Sequence, residues 1–318
     1  RLDQSFFDYA TGLKMTNNKF DKLFGKKARD PQKEKLTQFH MDIASSIQNV
    51  TEEIMVKLAK SLKNEYGLEN LCLAGGVALN CVANGKLLKE KIFKNIWVQP
   101  AAGDAGGSLG AALAMWYIDQ NNPRKIDPSD SMQGSYLGPN FSQSQIEEQL
   151  KKVGANFEIM EEEDLIRKTS ESLLKGDAIG WFQGRMEFGP RALGNRSIIA
   201  SPKSTNMQRD LNYKIKYRES FRPFAPSILL EDLSDWFETN EESPYMLLVS
   251  YVSESKRLNV EESEKKYEGI KKMMIPNSQV PAITHVDFSA RVQTVTKDIN
   301  KKFYNLINKY KEISGCPI

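Results

Sequence analysis

Two histidines, three cysteines and a near-balance of charge are all that this 318-residue chain allows itself. Each scarcity excludes something. Cys72, Cys81 and Cys316 have neither the even number nor the spacing of a disulfide framework or a zinc site, so the fold must rest on a packed core. Cys72 and Cys81 sit in apolar surroundings and are expected to be buried thiols. Lys and Arg number 44 against 41 Asp and Glu, and a net charge of +3 is too small to mark a general nucleic-acid or membrane surface. No run approaches the roughly 18 consecutive apolar residues of a membrane span, and no signal peptide precedes Arg1-Leu2-Asp3. A cytoplasmic protein is the expectation. Solenoid repeats and low-complexity tracts are absent too. With 40% hydrophobic and 27% charged residues, and a length beyond the roughly 250–300 residues at which single cores stop growing, two globular domains are expected.

Charge is concentrated where the total conceals it. Residues 183–226 hold Gln183-Gly184-Arg185-Met186-Glu187-Phe188-Gly189-Pro190-Arg191-Ala192-Leu193-Gly194-Asn195-Arg196-Ser197, then Lys216-Tyr217-Arg218-Glu219-Ser220-Phe221-Arg222-Pro223-Phe224-Ala225-Pro226. Guanidinium forks match phosphate or carboxylate oxygens two at a time, and Gly lets backbone N–H groups approach the same anion. The interleaved Pro and Phe stiffen the neighbourhood as a walled pocket requires. A pocket for a small phosphorylated substrate is therefore expected here, in preference to a surface ion-pair network or an RNA-binding face, which would carry a recognisable motif.

The first half of the chain reads as two βα units. Residues 39–66 carry apolar side chains near helical spacing and stop at Gly67. A short apolar run at 70–74 is broken by Gly75-Gly76 before a helical pattern at 77–91. The unit then repeats as a β-rich run at 95–98, a small-residue loop at 101–107 and an Ala-rich helix at 108–120. Such repetition favours a mostly parallel sheet flanked by helices. Residues 121–140, rich in Pro and Gly, read as the linker. Helices are expected at 142–154, 164–175 and 296–313, a strand at 178–182, and a solvated helix or mobile loop across the charge-dense stretch 256–272. Both ends look cut: the chain opens without Met, and Cys316-Pro317-Ile318 looks like the approach to a strand.

Two further clusters could carry chemistry. A glycine turn between strand and helix aims unpaired N–H groups at one spot, which suits a nucleotide phosphate, although Gly75-Gly76 alone is equally a tight turn. Asp104, in Ala101-Ala102-Gly103-Asp104-Ala105-Gly106-Gly107, opens the next unit, where a carboxylate can hold a divalent metal beside phosphate or simply cap a helix. The third cluster is Thr284-His285-Val286-Asp287 with Arg291. His285 and Asp287 alternate as on one strand face, and such a pair is more often structural than catalytic. Arg291 is the better substrate contact. His40 reads as a packing or capping feature.

These residues carry a resemblance. Gly75-Gly76-Val77-Ala78-Leu79-Asn80, Asp104-Ala105-Gly106-Gly107, the segment 184–197, Lys216-Tyr217-Arg218-Glu219 with Phe221-Arg222-Pro223-Phe224-Ala225-Pro226, and Thr284-His285-Val286-Asp287 resemble the signatures of the NodU/CmcH O-carbamoyltransferase family, along the whole chain. The resemblance implies an α/β protein: part of an actin-like ATPase-fold (Kae1-like) domain over residues 1–122, its second lobe, then a YrdC-like α/β domain with a twisted open sheet over 123–318. It implies that carbamoyl phosphate and ATP are condensed to carbamoyl adenylate and that the carbamoyl group passes to a hydroxyl of an acceptor. Arg191, Lys216, Arg222 and Arg291 would be catalytic. Gln183, Arg185, Glu187, Arg196, Ser197, Arg218 and His285 would bind substrate. Gly75, Gly76, Asn80 and Gly106 would bind the nucleotide. Asp104 would bind a metal, iron or a similar divalent ion, with Mg2+ accompanying the nucleotide. The partners implied are carbamoyl phosphate and a hydroxyl-bearing acceptor, with no nucleic acid and no membrane; a homodimer is also expected.

The chain departs from the family pattern in two places. Relatives supply metal-binding histidines from an HxxxH motif, which is missing here, and continue past the equivalent of Ile318 into an Asn-Thr-Ser-Phe-Asn motif. This stretch alone is therefore expected to lack a complete metal site and to transfer nothing to an acceptor. Competing readings are threonylcarbamoyl-adenylate synthesis for tRNA modification, carbamoyl transfer in hydrogenase maturation, and non-catalytic nucleotide or RNA binding. Hydrogenase-type relatives carry zinc-finger cysteine pairs, which three scattered cysteines cannot form.

Overall fold

A computed structural model describes residues 3–126, 129–259, 266, 267 and 269–318. Two compact units emerge, one ending at Ile47 and the other spanning Gln48–Ile318. The first contains α1 (Asn18–Phe24), whose Asn17 side chain accepts the Lys19 N–H and whose end is closed by left-handed Gly25. Phe20 packs against Phe7 and Phe24 at centroid distances of 6.1 and 4.9 Å. The helix α2 (Gln38–Tyr66) starts here, and His40 does cap it: Nδ1 accepts the Thr37 N–H at 3.0 Å.

Within the second unit the two βα repeats form as read. Strand β1 (Asn70–Leu73) leads through a glycine turn and a 3-10 turn at Gly76–Leu79 into α3 (Cys81–Lys89), and β2 (Asn95–Val98) leads into α4 (Asp104–Ala114). β1 and β2 pair in parallel, Asn70 opposite Asn95. Met55 and Ala59 of α2 pack on Leu71, Ala83, Leu87 and Phe93 with Val56 beside them, whereas Val50, Ile54, Leu58 and Leu62 of the apolar spacing read in the sequence stay exposed, so the packed face is not the stripe expected. The loop expected at 101–107 is shorter than that, because Gly103 already serves as N-cap and Asp104 is the first helical residue.

The rest of the unit comprises α5 (Gln143–Lys152), α6 (Glu162–Lys175), β3 (Ile179–Phe182), β4 (Arg196–Ile199), α7 (Met207–Lys214), β5 (Ser227–Leu229), α8 (Leu233–Trp236), β6 (Leu248–Tyr251), β7 (Ser289–Val295) and α9 (Lys301–Ser314). β3 and β4 form an antiparallel hairpin that frames the arginine-rich loop. β7 lies between β5, parallel to it, and β6, antiparallel to it. The described residues thus form three small sheets in a mixed α/β protein, and a single open sheet is not what they build. Trp181, Leu229, Val295, Phe303 and Leu306 join β3, the mixed sheet and α9 in one core.

Several expectations need correction. Residues 130–139 are no loose linker: Met132, Gly134 and Ser135 are buried, and Phe188 and Gly138 N–H groups pair with Ser135 and Met186 carbonyls across to the arginine loop at 2.7 and 2.9 Å. His285 and Asp287 share a turn and no strand face, since Phe288 N–H closes on the His285 carbonyl at 3.0 Å before β7 begins. Cys72 is exposed, because four-residue β1 leaves one face open, and Cys81 is half-buried at the start of α3; Cys316 is the buried thiol, pushed up to about 11 by that burial. Residues 260–265 and 268 of the charge-dense stretch lie outside the described residues, and 3-10 turns at Glu254–Lys256 and Gly269–Met274 flank them. No helix among the described residues is long and apolar enough to cross a membrane.

Candidate anion-binding site

Two loops and one strand carry the cations, and a buried polar residue organises each loop. The first loop joins β3 to β4. Inside it Glu187, 6% exposed, turns its Oε1 away from solvent to accept the N–H groups of Leu193 at 2.7 Å, Asn195 at 2.9 Å and Arg196 at 3.3 Å. Gly194 permits the bend at φ +102, where a Cβ would stand 2.4 Å from the Phe303 ring. Below the loop, Gln183 Nε2 donates to the Gly194 carbonyl, Asn195 Oδ1 and Asn300 Oδ1 at 3.0–3.1 Å. Tyr136 donates to the Leu193 carbonyl at 2.7 Å, and burial pushes its phenol up to about 12.

The second loop follows α7. Asn212 is fully buried, and its Nδ2 donates to the carbonyls of Ser220 at 3.2 Å and Arg222 at 2.8 Å, while Oδ1 accepts from Arg218 Nε at 2.6 Å. This amide closes the loop that carries Lys216 and Arg218. Sequence reasoning missed it, since an Asn between Leu211 and Tyr213 has no distinguishing mark. The strand contributes Arg291 from β7, opposite Val249 of β6.

Arg191, Lys216, Arg218 and Arg291 converge on a cavity of about 380 Å³, and no Asp or Glu side chain among the described residues lines it. Pro190, Pro223 and Phe224 supply stiff walls, and Ser197 contributes a hydroxyl. Burial first, then the charge of Arg191, hold the Arg291 guanidinium below the ordinary arginine range; Cys81 opposes them, and Arg218 adds a smaller push in the same direction as Arg191. Burial and Arg222 lower Arg218 likewise, against an opposing pull from Glu219. Arg191 Nη2 donates to the Leu79 carbonyl at 3.1 Å, and its Nε is buried without a hydrogen-bond partner among the described residues. Crowded cations with unused donors and no Asp or Glu side chain make a field that an anion would relieve.

Other expected residues go elsewhere. Arg222 pairs with Glu219 at 2.8 Å on the exposed side of its loop and does not line the cavity. Arg196 stacks 3.5 Å over Phe182 and donates to the Gln183, Gly184 and Asn195 carbonyls, so it braces the loop. Arg185 donates to the Gly138 carbonyl at 3.1 Å. Glu187 and Gln183 point inward, so the loop's own backbone takes the groups expected to face substrate. His285 lies on a separate cleft of about 30 Å³, its imidazole lowered by burial and by Arg291 against Asp287.

Around the glycine turn, a Cβ on Gly75 or Gly76 would meet nothing within 4 Å, which leaves that face open. Asn80 is already occupied: Oδ1 caps α3 through Ala83 N–H at 3.1 Å, and Nδ2 donates to Gln48 Oε1 at 2.9 Å. Gly106 is a packing residue, for its Cβ would stand 2.2 Å from the Ala101 carbonyl. Asp104 occupies the first turn of α4, where a carboxylate meets the positive helix end. No group of three His, Cys, Asp or Glu side chains among the described residues could hold a metal ion. One carboxylate falls short of the ligand set a divalent ion takes, so a metal at Asp104 would need ligands from outside these residues.

A family model for the carbamoyltransferase N-terminus matches residues 1–113, and one for the carbamoyltransferase C-terminus matches 170–318, which holds all four cavity cations. The chain belongs to the carbamoyltransferase family. Among its relatives, an uncharacterised protein of Synechocystis is 54% identical over 320 residues, covering 100% of this chain and 52% of the relative. The nodulation protein NolNO of Sinorhizobium fredii is 41% identical over 286 residues, 89% of this chain and 38% of the relative. The nodulation protein NolO of Bradyrhizobium diazoefficiens is 39% identical over the same length, 89% of this chain and 48% of the relative. The chain thus spans about half the length, or less, of these family members.

Proposed function

We propose that this chain supplies the anion-handling part of an O-carbamoyltransferase, in which carbamoyl phosphate and ATP yield carbamoyl adenylate and the carbamoyl group passes to a hydroxyl of a small-molecule or glycan acceptor. One observation carries the reading: among the described residues four cations and no acidic side chain face a walled cavity of about 380 Å³, within the roughly 300–1,000 Å³ of small-molecule sites. Hydrolysis of carbamoyl phosphate would release carbamate and inorganic phosphate, and attack of a carbamate oxygen on the α-phosphorus of ATP would then expel pyrophosphate, so several anions gather in one place. Arg191, Lys216, Arg218 and Arg291 would neutralise their mutual repulsion and the charge growing on pyrophosphate as it departs. Arginine forks would orient the reacting phosphates two oxygens at a time. Pro190, Pro223 and Phe224 would restrict water from an adenylate that hydrolyses readily.

The same reading assigns the second lobe of an actin-like ATPase-fold (Kae1-like) domain to 1–122 and a YrdC-like domain to 123–318. The open turn at Gly75 and Gly76 is compatible with a nucleotide phosphate; Asp104 is assigned no step. A cytoplasmic homodimer completes the proposal. The test is pyrophosphate release from ATP in the presence of carbamoyl phosphate, measured on a full-length protein containing this chain. Arg191→Ala or Lys216→Ala should reduce release at least tenfold (about 1.4 kcal/mol per factor of ten) with folding intact. Release undiminished in both variants would overturn it.

A further inference from the structure

We infer that Glu187 is a positioning residue that acts through Arg191. This rests on the cavity being the anion site proposed above. Glu187 and Leu193 bracket Phe188-Gly189-Pro190-Arg191-Ala192, and the Glu187 carboxylate closes the bracket on itself through the N–H groups of Leu193, Asn195 and Arg196. Three backbone donors on one carboxylate oxygen form a charge-assisted clasp that neutral side chains cannot copy. Outer contacts hold the ring in place: Phe188 N–H donates to the Ser135 carbonyl at 2.7 Å, and Tyr136 donates to that of Leu193. A Cβ on Gly189 would stand 3.0 Å from the Pro100 carbonyl, so the ring sits tightly against the segment before α4. The product of the clasp is the aim of Arg191, which alone in this ring carries charge and which reaches both the cavity and the Leu79 carbonyl. A loop of this length without its clasp would let the guanidinium sample many directions. Glu187 touches no ligand in this account; it sets the direction of a residue that does.

The experiment measures pyrophosphate affinity by titration calorimetry on four forms of a full-length protein containing this chain: wild type, Glu187→Gln, Arg191→Ala and the double variant, with thermal unfolding of each. Glu187→Gln should weaken pyrophosphate by about tenfold, as one misdirected charge-assisted contact does. In the Arg191→Ala background the same change should cost nothing further. Glu187→Asp, which keeps the charge but shortens the reach, should recover part of the affinity, and it stands in if the Gln variant does not fold. Equal losses in both backgrounds would mean that Glu187 merely supports the fold, and would overturn the inference while leaving the cavity's role intact. Failure of the wild type to bind pyrophosphate would overturn both. In unmodified protein, the Leu193 and Asn195 amide hydrogens should exchange slowly, and fast exchange would dissolve the clasp whatever the variants do.

Discussion

Replacing Arg291 by Met should make the empty protein more stable while it ruins anion binding. Met keeps much of the aliphatic bulk on β7 and removes a charge that faces Arg191 and Arg218 without a carboxylate partner among the described residues. Two like charges about 8 Å apart in a medium of effective dielectric near 20 repel by about 2 kcal/mol. Salt at about 0.15 M reduces that to roughly 1 kcal/mol for a partly solvated group. With Arg191 as the principal such neighbour and a desolvated guanidinium, Arg291→Met should raise stability by about 1–2 kcal/mol, a rise of roughly 1.5–3 °C in Tm for a chain of this size. Hydrogen bonds from a charged donor contribute about 1.5–3 kcal/mol, so pyrophosphate should bind about tenfold to a hundredfold more weakly. Differential scanning fluorimetry with and without pyrophosphate reads both effects. Wild type at a hundred times Kd should gain about 2.7 kcal/mol, and the variant at the same concentration far less. A variant that melts lower than wild type in anion-free buffer yet keeps its affinity would refute the reasoning, because Arg291 would then be a structural cation.

Two other outcomes follow from packing and titration. Gly106→Ala should destabilise by about 2 kcal/mol or more, since its Cβ would meet the Ala101 carbonyl, whereas neighbouring Gly107→Ala, with open space around it, should stabilise α4 by about 0.5–1 kcal/mol; urea unfolding of the pair would expose an error if the signs agreed. His285 has its folded-state pKa pushed below the ordinary 6.5 by burial, so the unfolded chain binds the extra proton first. Stability should hold above about pH 6.5 and fall as pH drops below it until the folded-state imidazole also titrates; Tm measured from pH 5 to 7.5 should show that slope, and His285→Gln should flatten it.

Much of the fold was legible because its signals are local. Helical spacing in α2, the short runs of β1 and β2, and the breaks at Gly67 and Gly75 depend on neighbouring residues alone. The cation-bearing segments announced themselves in the same way, and three of the four residues expected to be catalytic do meet in one cavity. What could not be read was the division of labour inside those segments. Arg185, Arg196, Arg222, Glu187 and Gln183 look in sequence as apt for substrate as Arg191 does. Tertiary contacts decide that Arg196 lies on Phe182 and backbone carbonyls, that Arg222 pairs outward with Glu219, and that the Glu187 carboxylate closes on its own loop.

Sequence by itself determined the longer helices, the βα repeats and where the cations cluster, because periodicity, glycine and a density of guanidinium groups act over a few residues. Only the tertiary structure decided which cations share a cavity and which polar residues hold them there. Arg291 comes from β7, a hundred residues after Arg191, and only the pairing of β7 with β5 and β6 brings the two within electrostatic reach. Asn212 and Glu187 acquire their roles from backbone groups that lie beside them only once the loops have closed. A charge can be counted in a sequence, but its direction belongs to the fold.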